Sequence, residues 1–314
     1  MLKHEILDSL CTERIMEMSG YLGETAALGT ALCWSLGSIM FTISSRRIGH
    51  IVVNRLRLVI SLVLLLTTHL VITGFFLPSH TTSYHVFWFA VSGIIGFAIG
   101  DTLLFRSFVL VGPRMAMLMM CLVPVFGTVT AWFFLNQILG ATEIIAIIVT
   151  LAGISWVVLE RRTDTHERGH YFVGIMCGMG GALGQALGLV LSKKGLDTGY
   201  SALAGNIIRI TAATIVMWLL AFSHRKAGVT VKAMRDMKAA LTTFGGAFFG
   251  PYLGVWFSLI AVQYAYVGIA ATLMALPPIF LIPLSRWIFK EKITVGALLG
   301  TILAVAGVAL IFLL

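Results

Sequence analysis

Three ionisable residues stand inside stretches otherwise built from apolar residues. Asp101 lies in "GFAIGDTLLF" (96–105), and the run from Val86 to Phe105 holds no other charge. Arg57 closes "NRLR" (54–57) and Arg209 closes "NIIR" (206–209), each several residues into an apolar run. A carboxylate at that depth binds a proton, contacts a charged solute or pairs with an arginine, because an isolated charge in hydrocarbon is costly. A guanidinium there grips a carboxylate or phosphate with two parallel bonds, makes a fixed structural contact, or snorkels toward head groups. Arg106 lies five residues beyond Asp101, about 140° around an α-helix, so it is a poor partner on the same helix. An Arg57–Asp101 ion pair would satisfy both groups. Trp34, Gln185, Tyr252 and Trp256 suit a mostly apolar pocket with a few polar anchors, with ordinary packing as the alternative for each.

The elements that position these residues are membrane helices. Of 314 residues, 59% are hydrophobic and only 11% charged, and the mean hydropathy is +0.98. A soluble domain carries about 25% charged residues. Apolar runs predict helices near 24–44, 52–76, 86–105, 115–134, 143–160, 169–191, 201–222, 240–262, 269–289 and 295–313. The fold class is therefore an all-α polytopic membrane protein with ten transmembrane helices. The first twenty residues are mixed in charge and lack the apolar core of a signal peptide; they read as a short cytosolic or interfacial tail, with Met16 and Met18 as alternative starts.

The halves of the chain resemble each other. "NRLR" matches "NIIR", "SSRR" (44–47) matches "LSKK" (191–194), and "GFAIG" (96–100) matches "GPYLG" (250–254). "PVFGTVTAWFF" from Pro124 matches "PIFLIPLSRWI" from Pro278, and "LAG" (151–153) matches "VAG" (305–307). The common order marks a duplication. The expected domains are a tail over 1–23, a first repeat over 24–160, a linker over 161–168 and a second repeat over 169–314. Each repeat holds five helices, an odd number, so the second enters the membrane from the opposite side. Such inverted repeats build a solute site at their interface near the midplane in many transporters.

Asp101 breaks the symmetry, since Val255 stands at its matching place. Gly180, Gly184 and Gly188, then Gly246, Gly250 and Gly254, with Gly96 and Gly100, carry the four-residue spacing that brings helices close in lipid. Such faces either pack statically or slide. Pro124, Pro251, Pro277, Pro278 and Pro283 are expected to kink or interrupt helices and expose backbone groups. Glu143 and Glu291 sit near helix starts, where the helix dipole accounts for them.

The chain resembles the EamA family of the drug/metabolite transporter superfamily. The resemblance rests on "ALCWSLGSIMF" (31–41), "VGPRMAMLMMCLVPVFGTVTAWFFLNQIL" (111–139) and "VGIAATLMALPPIFLIPLSRWIFKEKIT" (267–294), and covers nearly everything after residue 22. Trp34 matches the tryptophan typical of the family's first helix. Family members carry a glutamate after the fourth and ninth helices; Glu291 matches it, whereas Gln137 replaces it in the first copy. The resemblance implies a secondary transporter of small metabolites, often an exporter.

The expected function is alternating-access transport of a small metabolite or amino-acid-like solute in the cell membrane, driven by a proton or substrate gradient, with Asp101 as the candidate proton carrier. The expected partners are that solute, a proton and membrane lipids, with a monomer or homodimer as the assembly. Loops after the first, third, fifth, seventh and ninth predicted helices hold most of the basic residues, while the other side holds Lys3, Arg14, Lys193 and Lys194. The positive-inside rule thus places both termini outside, whereas the resemblance implies termini in the cytosol. The formal net charge of +9 falls in these loops without an aromatic-interleaved stripe, so no nucleic-acid partner is expected. Cys11, Cys33, Cys121 and Cys177 form no CxxC pair, and no metal or cofactor is expected. No G-x-x-x-x-G-K-[ST] loop occurs, so ATP hydrolysis by that machinery is not expected. "IGD" (99–101) and "ALP" (275–277) resemble intramembrane aspartyl protease motifs, but that chemistry needs two carboxylates and one deep aspartate is present. A lipid-handling translocator is the remaining alternative.

Overall fold

The computed structural model describes the backbone of residues 2–78, 81–135, 140–160, 168–196, 200–264, 271 and 273–313, and among these residues the regular structure is helical throughout. Repeat 1 contains α1 (Leu2–Ile48), α2 (His50–Thr73), α3 (Ser83–Gly93), α4 (Asp101–Val111), α5 (Pro113–Met119), α6 (Leu122–Leu135) and α7 (Ala141–Glu160). Repeat 2 contains α8 (Arg168–Leu196), α9 (Ala202–Ser223), α10 (Ala227–Ala233), α11 (Met237–Ala247), α12 (Val255–Tyr264), α13 (Pro277–Phe289) and α14 (Val295–Leu313). Among the described residues six helical stretches are long and apolar enough to cross a membrane, and Ile144–Glu160, Pro277–Phe289 and Val295–Ile311 are shorter apolar helices. The protein is a polytopic all-α membrane protein.

Two local departures from the α-helix recur at the same places in both repeats. A seven-residue π turn, Ile94–Gly100, joins α3 to α4, and another, Phe248–Gly254, joins α11 to α12. Their starts lie at the offset that separates the sequence repeats. A π turn holds an extra residue, so it rotates everything after it relative to a continuous helix. The second departure is a break between α5 and α6 at Met120–Cys121, matched by a turn at Ala275 before α13. Pro124 and Pro278 follow these breaks. Pro278 has no N–H to donate back to Met274, so the α-helical ladder cannot run through. Gly112, at φ 85°, ends α4 in a backbone conformation that side chains rarely adopt, and Pro113 starts α5 at the position where its missing N–H is harmless.

Helix pairing follows a pseudo-two-fold relation. α1 packs against α11, the second π turn and α12, while α8 packs against α3, the first π turn and α4. The first helix of each repeat therefore lies on the third helix of the other. α2 pairs with α9, and α7 pairs with α14. Glycines make these approaches close, as van der Waals packing in lipid requires. A Cβ added at Gly184 would meet Gly100 Cα at 2.8 Å, and one at Gly37 would meet Gly250 Cα at 3.3 Å. In the α7–α14 pair, Cβ atoms at Gly153 and Gly307 would meet Ala304 N at 2.3 Å and Thr150 N at 2.4 Å, which sets the two helices antiparallel. A large apolar cluster, with Phe105, Phe108, Val111, Met115, Leu118 and Met119 in its core, fills the end of the bundle that carries the 111–113 turn. We call this the basic end, since Arg46, Arg47, Arg225 and Lys226 also lie there; α14 finishes at the opposite, terminal end.

Candidate functional site

A cavity of about 570 Å³ opens between the repeats. Its walls come from α1, α2, the π turns and α8–α9, and the broken helices meet it at Met120, Cys121 and Pro124 on one side and Met274, Ala275 and Pro278 on the other. Among the described lining residues, the charged groups are Arg57, Asp101 and Arg209. Those three carry one net positive charge.

The first π turn sets Asp101 at the start of α4, buried at 4% exposure. Its two oxygens are both engaged. Arg57 Nη2 donates to Oδ2 in a buried ion pair, and Gln185 Nε2 on α8 donates to Oδ1 at 2.6 Å. Arg57 is held in turn by Asn54 three residues back, its Nε donating to Asn54 Oδ1 at 3.1 Å. The Asn54 amide reaches across to the π turn, donating to the Phe97 carbonyl at 3.0 Å and to Thr102 Oγ1 at 2.8 Å. The Arg57 guanidinium also sits 5.1 Å from the Phe105 ring centroid and 5.9 Å from those of Phe41 and Phe97. A carboxylate with two charge-assisted or amide donors and an arginine inside aromatic faces form a satisfied polar network.

Arg209, the counterpart of Arg57 in the second repeat, is placed differently. Its guanidinium lies 4.5 Å from the Phe97 ring centroid, so Phe97 is within cation–π range of both arginines. Its Nε is buried and has no hydrogen-bond partner among the described residues. The asymmetry of the sequence explains the difference. By the repeat correspondence, Gln185 matches Ser38 and Asp101 matches Val255, and all four line the cavity. One half offers a carboxylate and an amide, and the mirror half offers a small hydroxyl and a valine.

The cavity runs toward the terminal end, where Ser192, Leu196 and Ala202 line it, and the apolar cluster at the basic end closes it. Contacts between repeats seal that closed end. Arg114 at the start of α5 pairs with Glu291 just after α13 at 3.3 Å, and Arg46 lies 5.0 Å from the Phe289 ring centroid. Arg47 donates to Asp236 at 2.9 Å, and this hydrogen bond holds the Asp236 carboxyl below the usual carboxylate range. The other Asp236 oxygen caps α11, accepting from Ala239 N at 3.1 Å. At the terminal end, Tyr84 donates to the Lys194 carbonyl at 3.2 Å in the position related to Arg47–Asp236. Both of these occur at once, whereas Arg114–Glu291 joins the fourth and ninth sequence segments at the closed end.

The structure brings together five of the seven residues that the sequence singles out: Trp34, Arg57, Asp101, Gln185 and Arg209 all line the cavity. Tyr252 and Trp256 do not. Tyr252 accepts a hydrogen bond from Thr68 at 3.1 Å and packs edge-on against Trp256, which is 40% exposed. Trp34 closes on Gly254, whose added Cβ would meet its Nε1 at 2.5 Å. Glu291 sits over Gly112 beside Arg114, while Gln137 and the Glu143 side chain lie outside the described residues. Sequence reasoning missed Asn54, Thr102 and Phe97. The repeated "N-x-x-R" of 54–57 and 206–209 was a usable signal for the asparagine, since three residues place it beside the arginine on one helix face.

Comparison with known proteins agrees with this architecture. The model of the EamA-like transporter family matches residues 21–159 and again 172–313. One solved crystal structure superposes with a TM-score of 0.63 at 16% identity, covering 93% of this chain and 96% of the other, a likeness of fold. None of the curated proteins matches the chain. Two copies of one family domain, spanning nearly the whole sequence in an all-helical bundle, place this chain in the EamA-like transporter family of the drug/metabolite transporter superfamily.

Proposed function

We propose that this protein is a secondary active transporter that exports a small metabolite across the cell membrane, with the central cavity as its solute site. The observation that carries this reading is the cavity itself, walled by both repeats and bordered by a broken helix from each. Inverted repeats with interrupted helices at a shared site suit rocking of one half against the other. With the basic end in the cytosol, as the charge count prefers, the cavity faces outward, the state in which an exporter has released its solute. Opening the basic end then requires parting Arg114 from Glu291 and separating the apolar cluster. Proton coupling acts in this reading through Asp101, because a proton there removes the charge that holds Arg57.

Val255→Phe tests the reading by filling the cavity from the apolar half, away from the ionic network. Cells overproducing the wild type are expected to release a solute that control cells retain, and the variant is expected to lower that release at equal membrane yield, because the added ring takes up cavity volume. Unchanged release by the variant would move the pathway elsewhere. No solute release by the wild type, together with lipid scrambling in liposomes, would replace this reading with lipid translocation.

A further inference from the structure

The network around Asp101 also restricts what the cavity can hold. Asp101 Oδ1 accepts from Gln185 and Oδ2 from Arg57, so its charge is already committed to a buried arginine, and an ammonium group would add a second cation to a cavity that carries one net positive charge. Arg209 is the reverse case. Its guanidinium lies against the Phe97 ring, and its Nε is buried without a hydrogen-bond partner among the described residues. A buried charged donor left unpaired is costly, and a planar oxyanion is the group that matches its fork. The rest of the wall is largely apolar, including Phe89, Leu189, Leu203, Ile210 and Val255.

We propose that the carried solute is a small monocarboxylate with an apolar body and no ammonium group, its carboxylate bound by Arg209. This inference rests on the transport reading above and names the chemistry of that same site. One net positive charge in the cavity matches a monoanion, and a phosphate dianion would leave one negative charge uncompensated. A neutral solute would leave that positive charge uncompensated. A zwitterion carries no net charge and would leave the same positive charge uncompensated. The cavity volume of about 570 Å³ lies within the range of small-molecule sites.

The test is untargeted profiling of solutes released by cells that overproduce the wild type, Arg209→Lys or Arg209→Gln. The expected result is that the released solutes carry one carboxylate and no ammonium. Arg209→Gln should lose about 10- to 100-fold of that release, the effect of removing hydrogen bonds to a charged group, and Arg209→Lys should retain part of it. Release of zwitterionic, neutral or phosphorylated solutes, or wild-type release by Arg209→Gln, overturns the monocarboxylate assignment and leaves the transport reading standing. Failure of the wild type to move any solute defeats the transport reading, and this assignment with it. Should Arg209→Gln not reach the membrane, purified wild-type protein is heated with phenylacetate, phenylacetamide, phenylalanine or phenyl phosphate. A rise in thermal midpoint with phenylacetate above the other three supports the assignment; an equal or larger rise with any of the other three overturns it.

Discussion

Replacing Asp101 with asparagine is expected to cost about 3–5 kcal/mol of stability, read as a large fall in the thermal midpoint of the detergent-purified chain. The size follows from what remains. Arg57 stays buried at 5% exposure between Phe41, Phe97 and Phe105 with its counter-charge gone, and Arg209 faces the same cavity. Removing both partners, in Arg57→Leu/Asp101→Leu, should recover most of that loss, since a buried ion pair replaced by apolar groups is often neutral. Exchanging the two charges, in Arg57→Asp/Asp101→Arg, should likewise restore folding. In both double variants transport should stay low, because the cavity has lost its arrangement of charges. Two results would contradict this account. One is Asp101→Asn unfolding at the wild-type temperature. The other is flux by that variant at the wild-type rate with the wild-type pH profile, which would remove Asp101 both as counter-charge and as proton carrier.

Gly93→Ala is expected to be nearly as damaging, through steric contact alone. A Cβ at Gly93 would fall 2.0 Å from the Arg209 carbonyl oxygen and 2.7 Å from its Cα. Those are backbone atoms, so no side-chain rotation relieves the overlap; α3 and α9 must move apart. Overpacking of this kind costs about 1–3 kcal/mol, and here the displaced residue is the cavity arginine. Membrane yield should fall, and the surviving protein should lose flux disproportionately. Gly127→Ala is the matched control, since nothing lies within 4 Å of its added Cβ. Equal yields and equal flux for the two variants would show that the α3–α9 approach tolerates a methyl group.

Much of this arrangement is legible in the sequence, and the parts that are not share a physical cause. Apolar runs report helices because the bilayer demands about twenty such residues, and the two copies of "N-x-x-R" and "G-x-x-x-G" survive duplication because the same packing is needed twice. The π turns are silent. Nothing in "IIGFAIG" or "FFGPYLG" distinguishes a π from an α turn by composition, yet the extra residue decides which way Asp101 faces. An angle counted at 100° per residue across 86–105 is therefore wrong beyond Gly100, and the Arg57–Asp101 pair could be posed from sequence but not placed. Tyr252 and Trp256 illustrate the same limit. They sit at and just after the second π turn, which directs them to Thr68 and to the lipid-facing side rather than to the cavity. Pro124 and Pro278 did announce the helix breaks, since a missing N–H is a property of the residue itself. The polar stretch 223–239 conceals α10, seven residues too short and too polar to register as a membrane helix.

The central claim is that solute passes through the cavity because the repeats part at the basic end. Its most direct measurement joins the fourth and ninth segments there. The variant Arg114→Cys/Glu291→Cys is reconstituted in liposomes, and flux of the released solute is read before linking with a short cleavable bis-maleimide, after linking, and after cleavage. Linking should stop the flux, and cleavage should restore it to the unlinked rate of the same variant. Flux that continues at that rate in the linked protein would contradict alternating access through this end.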